Sequence, residues 1–178
     1  MRTDEELARG IQRGDAEALS TLVERHQHAL IGFLFRMGSD RRLAEDLVQE
    51  AFLRVLRSIH AYQYPRPFKP WLYAIASNLA RDYFKSADTR YTEVMPEDVE
   101  IPYYPEDAVM EADEVEHVTV ALSRLPTHQR EAVVLRYYND LSLNEIAQAL
   151  QIPVGTVKSR LSLGLNRLKV MLEESSKT

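Results

Sequence analysis

The chain has 178 residues, 45% hydrophobic and 28% charged, a balance suited to folded domains rather than a disordered polymer. It has no cysteine, which excludes disulfides, thiol nucleophiles and thiolate metal sites. Its net charge of −5 is unevenly spread: residues 1–85 hold 13 basic and 11 acidic side chains, residues 86–116 hold 1 and 11, and residues 117–178 hold 8 and 5.

No uninterrupted apolar run approaches the roughly 20 residues that span a bilayer. The acidic opening Met1-Arg2-Thr3-Asp4-Glu5-Glu6 is not followed by the apolar core of a signal peptide. A cytoplasmic protein without membrane insertion is expected.

In chain order, Thr3 and Glu6 have capping-box spacing ahead of Leu7, Ala8 and Ile11, Gly14 closes that short helix, and Asp15 can cap the next. From Ala18 to Met37, apolar residues recur at three and four, the pattern of a buried helix face. His26 falls on this stripe and reads as a packing residue. No second ligand stands at metal-like spacing, so no metal site is expected.

Over Leu43–Ile59, Leu43, Leu47, Val48, Ala51, Phe52, Val55, Leu56 and Ile59 make one apolar face. Asp46, Gln49, Glu50 and Leu53 lie on or beside the opposite face. An exposed leucine ringed by carboxylates is compatible with a docking surface for a basic partner helix.

Residues 61–70 hold three prolines and three aromatics together with Arg66 and Lys69, and are expected to form a stiff, non-helical loop. Tyr62 and Tyr64 either offer faces for stacking unpaired bases or fold back on the core, where Phe68 is expected to pack. A helix over Trp71–Lys85 follows. Its expected exposed face carries Ala74, Ser77, Asn78, Arg81 and Lys85, small and polar enough for a strand to approach closely.

The acidic segment 88–114, with Pro96, Pro102 and Pro105, reads as a linker between two small helical domains, 1–87 and 115–178. In the second, a helix over His117–Leu125 stops at Pro126 and Thr127 can cap the next. Ser142 and Glu145 form another capping-box pattern opening a helix that reaches Leu150, and the turn Gln151-Ile152-Pro153 leads into a further helix from Val154. Two helices on so short a turn form a helix-turn-helix, which puts the start of its second helix into a DNA major groove. Thr156, Lys158, Ser159 and Arg160 are the candidates for contact, with Gly155 allowing backbone approach to a phosphate.

Four segments together, Leu43–Val55 (LAEDLVQEAFLRV), Trp71–Tyr83 (WLYAIASNLARDY), Leu125–Arg136 (LPTHQREAVVLR) and Val154–Leu161 (VGTVKSRL), resemble bacterial sigma factors of the extracytoplasmic-function group. The resemblance implies an all-α, two-domain initiation factor with no cofactor and no catalytic residues. It implies core RNA polymerase as partner, through the beta-prime clamp and beta flap, together with promoter DNA and an anti-sigma factor. On that basis Asp46, Gln49, Glu50 and Leu53 would grip the clamp. Tyr62, Tyr64, Arg66, Phe68 and Lys69 would capture a base flipped from the −10 element, and Ser77, Asn78, Arg81 and Lys85 would line that strand's path. Gly155, Thr156, Lys158, Ser159 and Arg160 would read the −35 element.

The chain departs from the family pattern at Ala74 and Ser77, where basic residues are frequent, and at Leu163. It departs also at Gln151, where glycine is usual and a left-handed backbone is expected. The acidic linker would suit a basic polymerase channel as a nucleic-acid mimic. Two rival readings share these features. A stand-alone helix-turn-helix regulator would bind duplex tightly without polymerase. A polymerase- or anti-sigma-binding adaptor would dispense with residues Tyr62–Lys69 and Lys158–Arg160.

Overall fold

The structure is a computed structural model and describes residues 1–88 and 112–177, with side chains for 1–84 and 114–177. The proposed linker at 88–114 lies almost wholly outside the described residues. Among the described residues the regular structure is entirely helical.

The first half begins with α1 (Asp4–Gln12). Its capping box is made as the spacing demands: Thr3 Oγ1 accepts from the Glu6 amide at 3.2 Å, and the Thr3 amide donates to Glu6 Oε2 at 2.8 Å. Asp4, Glu5 and Glu6 put negative charge at the positive end of the helix dipole. The chain reverses at Gly14, whose φ of 88° suits glycine, and Asp15 caps α2 (Ala16–Arg36) through the amides of Glu17 and Ala18. Asp40 caps α3 (Arg41–Ser58), accepting from Leu43 at 2.7 Å. A single 3₁₀ turn, Ile59–Ala61, precedes the loop and then α4 (Phe68–Asp88).

Helix α4 starts three residues earlier than the prolines suggest, so Pro70 lies in its first turn. The reason is physical: the first amides of a helix have no acceptor within it, so a residue without an N–H is tolerated there. The core of this half joins Leu7, Leu22, Leu30, Phe33, Leu34, Val55, Phe68, Leu72 and Tyr73, all buried. Phe33 and Tyr73 meet edge to face at 5.7 Å. Leu56, expected on the apolar face of α3, is instead more than a third exposed, and so is Tyr83 of α4.

The second half comprises α5 (Ala112–Ser123), α6 (Thr127–Tyr137), α7 (Leu143–Leu150) and α8 (Val154–Ser175). Pro126, not Thr127, occupies the cap position of α6, and no side chain caps that end. Ser142 and Glu145 complete their capping box at 3.1 Å in both directions. Gln151 ends α7 in the left-handed conformation at φ 56°. Gly164 lets α8 lie directly on α6, because a Cβ there would come within 2.9 Å of Val133. The Val157, Leu161 and Leu168 stripe is buried, whereas Leu165 at its border is not.

The two halves pack against each other, chiefly α4 against α7, with α2 touching α5 and α6. Polar contacts cross the seam beside an apolar core that is continuous between the halves. The Asn139 amide donates to Tyr73 Oη at 2.9 Å and to the Ala29 carbonyl at 3.2 Å. Arg130 reaches the Met37 carbonyl at 3.2 Å, the Arg36 guanidinium lies 3.8 Å from the centre of the Tyr138 ring, and Arg81 pairs with the buried Glu131 at 3.6 Å.

Candidate functional site

Three surfaces hold the residues singled out in the sequence. On α3, Asp46, Gln49 and Leu53 are exposed, Leu53 at 45%, while their helix is anchored by Leu47, Val48, Ala51 and Phe52 on its other side. Glu50 is half-buried and accepts from Arg54 at 3.4 Å and from Arg57 at 3.3 Å. The acidic rim around Leu53 is therefore partly neutralised from within.

The loop between Ala61 and Phe68 is held from several directions. Gln12 of α1 donates to the carbonyls of Ile59 and Tyr62 at 2.7 and 2.8 Å, and Glu5 accepts from the Phe68 amide at 3.0 Å. The rings of Tyr62, Phe68 and Trp71 pack mutually at 5.6–5.8 Å. Tyr62 is only 4% exposed and its hydroxyl donates to the Arg66 carbonyl. Burial, reinforced by the nearby Glu5 carboxylate, pushes that hydroxyl up to about 12, so it stays protonated. Of the two open readings of these tyrosines, Tyr62 therefore folds back on the core and Tyr64 does not. Tyr64 is 42% exposed, next to the exposed Arg66 and the partly exposed Lys69.

Helix α4 corrects the expected strand path. Asn78 and Arg81 are exposed, but Ser77, expected on an open face, is fully buried. It lies beneath the second half, beside Glu131. The sequence marked that face as small and polar, which serves a helix–helix seam as well as a strand. Lys85 lies in the last turns of α4, beyond the described side chains. Burial raises the Glu131 carboxyl above its ordinary value, against the opposing pull of Arg81, the Ser77 hydroxyl and Arg160.

A cleft of about 810 Å³ runs between the two halves, bounded by Gln63, Arg66 and Trp71 on one side and by Gln148, Gln151 and Ile152 on the other. Beyond it, α7, the left-handed Gln151 and α8 build the helix-turn-helix. Gly155, Lys158 and Ser159 are exposed, with Thr156 and Arg160 partly so. A Cβ at Gly155 would meet nothing within 4 Å, so packing does not require glycine there and the backbone at that one position of α8 is uncovered. Among the described residues no group of three His, Asp or Glu side chains could hold a metal ion, and no helix is long and apolar enough to cross a membrane.

Residues 22–90 match the family Sigma-70 region 2, and residues 117–168 match Sigma-70, region 4. The ECF RNA polymerase sigma factor SigW of Bacillus subtilis is 32% identical over 179 residues, covering 92% of this chain and 94% of its own length. The chain belongs to the ECF sigma factor family. Its likeness to solved structures spans both halves. CnrH in complex with the cytosolic domain of CnrY superimposes with a TM-score of 0.76 at 25% identity, over 96% of this sigma factor and 97% of that chain. The sigma factor RpoE in complex with the anti-sigma factor NepR from Bartonella quintana gives 0.71 at 25% identity, over 86% and 96%. As a member of this family the chain is a transcription initiation factor with an all-α, two-domain architecture.

Proposed function

We propose that this sigma factor directs core RNA polymerase to promoters through a division of labour between its halves. Asp46, Gln49, Glu50 and Leu53 dock on the polymerase clamp, the second half meets the beta flap, and no chemistry is done by this chain, which works in the cytoplasm. Tyr64, Arg66 and Lys69 meet the base flipped from the −10 element, over a floor made by Tyr62 and Phe68. Asn78, Arg81 and Lys85 follow that strand, and Ser77 joins them once uncovered. Gly155, Thr156, Lys158, Ser159 and Arg160 read the −35 duplex.

The observation that carries this reading is the pairing of an exposed Leu53 on an otherwise well-packed helix with a bare glycine at the start of α8. Neither is explained by packing within the chain. Because Ser77 is covered by the second half, the −10 path is complete only after the halves part. The solved structures that superimpose over both halves were captured with other chains, RpoE with an anti-sigma factor. The docked form is accordingly the one an anti-sigma partner would hold silent.

Reconstitution with core polymerase, followed by transcription from a promoter library, tests this. Defined start sites that depend on the chain and disappear with Leu53→Asp or Lys158→Ala/Arg160→Ala are expected. Core polymerase that ignores the chain would refute it.

A further inference from the structure

A second concave surface lies on the far side of the loop from the seam. It is a pocket of about 440 Å³ formed by the exposed face of α1, the start of α2 and Tyr64, and none of its walls comes from the second half. It is therefore open whether or not the halves are docked. Three of its residues are arginines: Arg2, Arg9 and Arg13.

Its two carboxylates are already committed. Glu6 closes the capping box with the Thr3 amide, and Asp15 caps α2 while pairing with Arg2 at 2.8 Å. Gly10 leaves the space in which the Arg2 guanidinium lies flat against α1, since a Cβ there would collide with it. The two remaining cations are not spent on carboxylates. Arg9 sits 4.6 Å over the Tyr64 ring, and no hydrogen bond or ion pair joins the Arg13 side chain to the described residues, its backbone amide capping α1 on the Gly10 carbonyl at 3.0 Å. A guanidinium held over an exposed tyrosine beside a second unpaired guanidinium combines a stacking face with phosphate-binding forks. Gln12 and Glu5 tie α1 to the loop, so the pocket and the loop keep a fixed spacing.

We propose that this pocket binds the single-stranded DNA backbone next to the base the loop captures, with Arg9 and Arg13 on one or two phosphates beside the base that Tyr64 meets. The proposal rests on the reading of the loop as the −10 contact. It extends the strand-binding surface onto α1.

The test uses holoenzyme assembled from the full chain and core polymerase, and a labelled fork with a −35 duplex and a single-stranded non-template −10 overhang. Affinity is measured across salt for wild type, Arg13→Ala, Arg9→Ala/Arg13→Ala and Arg9→Lys/Arg13→Lys. Each overhang phosphate in turn is replaced by a neutral methylphosphonate. The double alanine variant is expected to bind roughly tenfold more weakly, with a salt slope shallower by about 0.7 to 1.4, as for one or two phosphates lost from a single strand. The lysine variant should recover most of the slope. One or two adjacent methylphosphonates should erase the difference between wild type and the alanine variant.

If Arg66→Ala/Lys69→Ala weakens binding while the arginine variants leave affinity and slope unchanged, the inference fails and the loop reading stands. If no neutral phosphate position is coupled to the arginines, the effect belongs to loop geometry and the inference fails. If neither set of variants matters, both fail together.

Discussion

The buried side-chain amide of Asn139, in the second half, donates to the hydroxyl of the buried Tyr73, in the first, at 2.9 Å. This bond crosses the seam and also fixes the loop at the end of α6 over α4. Asn139→Ala should therefore free the halves without unfolding either. Losing a buried bond of this kind weakens docking by about 1–3 kcal/mol. Fluorescence transfer between dyes on the exposed positions His60 and Ser162 should report a larger mean separation, with little change in helical content.

Glu131 makes the seam sensitive to pH. Its carboxyl is raised by burial, so it is protonated more readily docked than undocked. Docking is then favoured below the ordinary value of 4.5 and weakens as pH rises through the raised, docked value. The same dye pair should show separation increasing over that interval, and Glu131→Gln should flatten the response and hold the halves together at neutral pH.

Leu53 offers the clearest separation of function from stability. It is exposed and makes no core contact, so Leu53→Asp should change folding stability by less than about 0.5 kcal/mol. Core polymerase binding should fall at least tenfold, as expected for about 1.4 kcal/mol or more lost from a central interface residue. Calorimetric melting and a binding titration on the same preparation check both.

Asp4 ties α1 to α2. It meets His26 Nε2 at 2.7 Å and Arg25 Nη1 at 2.9 Å, and the His26 contact is the main cause holding its carboxyl below the usual value of 3.8. A lowered folded value means that this stabilisation is complete above 3.8 and is lost as pH falls through the lowered value. Asp4→Asn should cost about 1–2 kcal/mol at neutral pH. The gap between the two melting temperatures should close in acid.

Much of this fold was readable in the chain because its signals are local. Both capping boxes, the Asp15 cap and the left-handed Gln151 follow from side chains and backbone within four residues of one another. The stripes on α2 and α3 follow from helical period, and the Leu53 face was found because it interrupts that period. Ser77 shows where this reading ends. Periodicity assigns a residue to a face, but whether that face meets water or another helix depends on contacts more than 50 residues distant. Tyr62 is similar, because its fate was decided by the Arg66 carbonyl and by Gln12 of α1. The arginine pocket escaped for the same reason: Arg9 and Arg13 are unremarkable on a short surface helix until Tyr64 is brought beside them.

At the seam Ser77 Oγ, Glu131 Oε1 and Asn139 Oδ1 are buried and no close hydrogen bond satisfies them, Glu131 Oε1 facing Arg81 only at 3.6 Å. Water would satisfy each of them, so every separation of the halves recovers solvation that a greasy contact would forfeit. Such a joint behaves as a clasp rather than a weld: firm enough to keep an idle factor folded upon itself, and loose enough for a larger binding surface to prise it apart again and again.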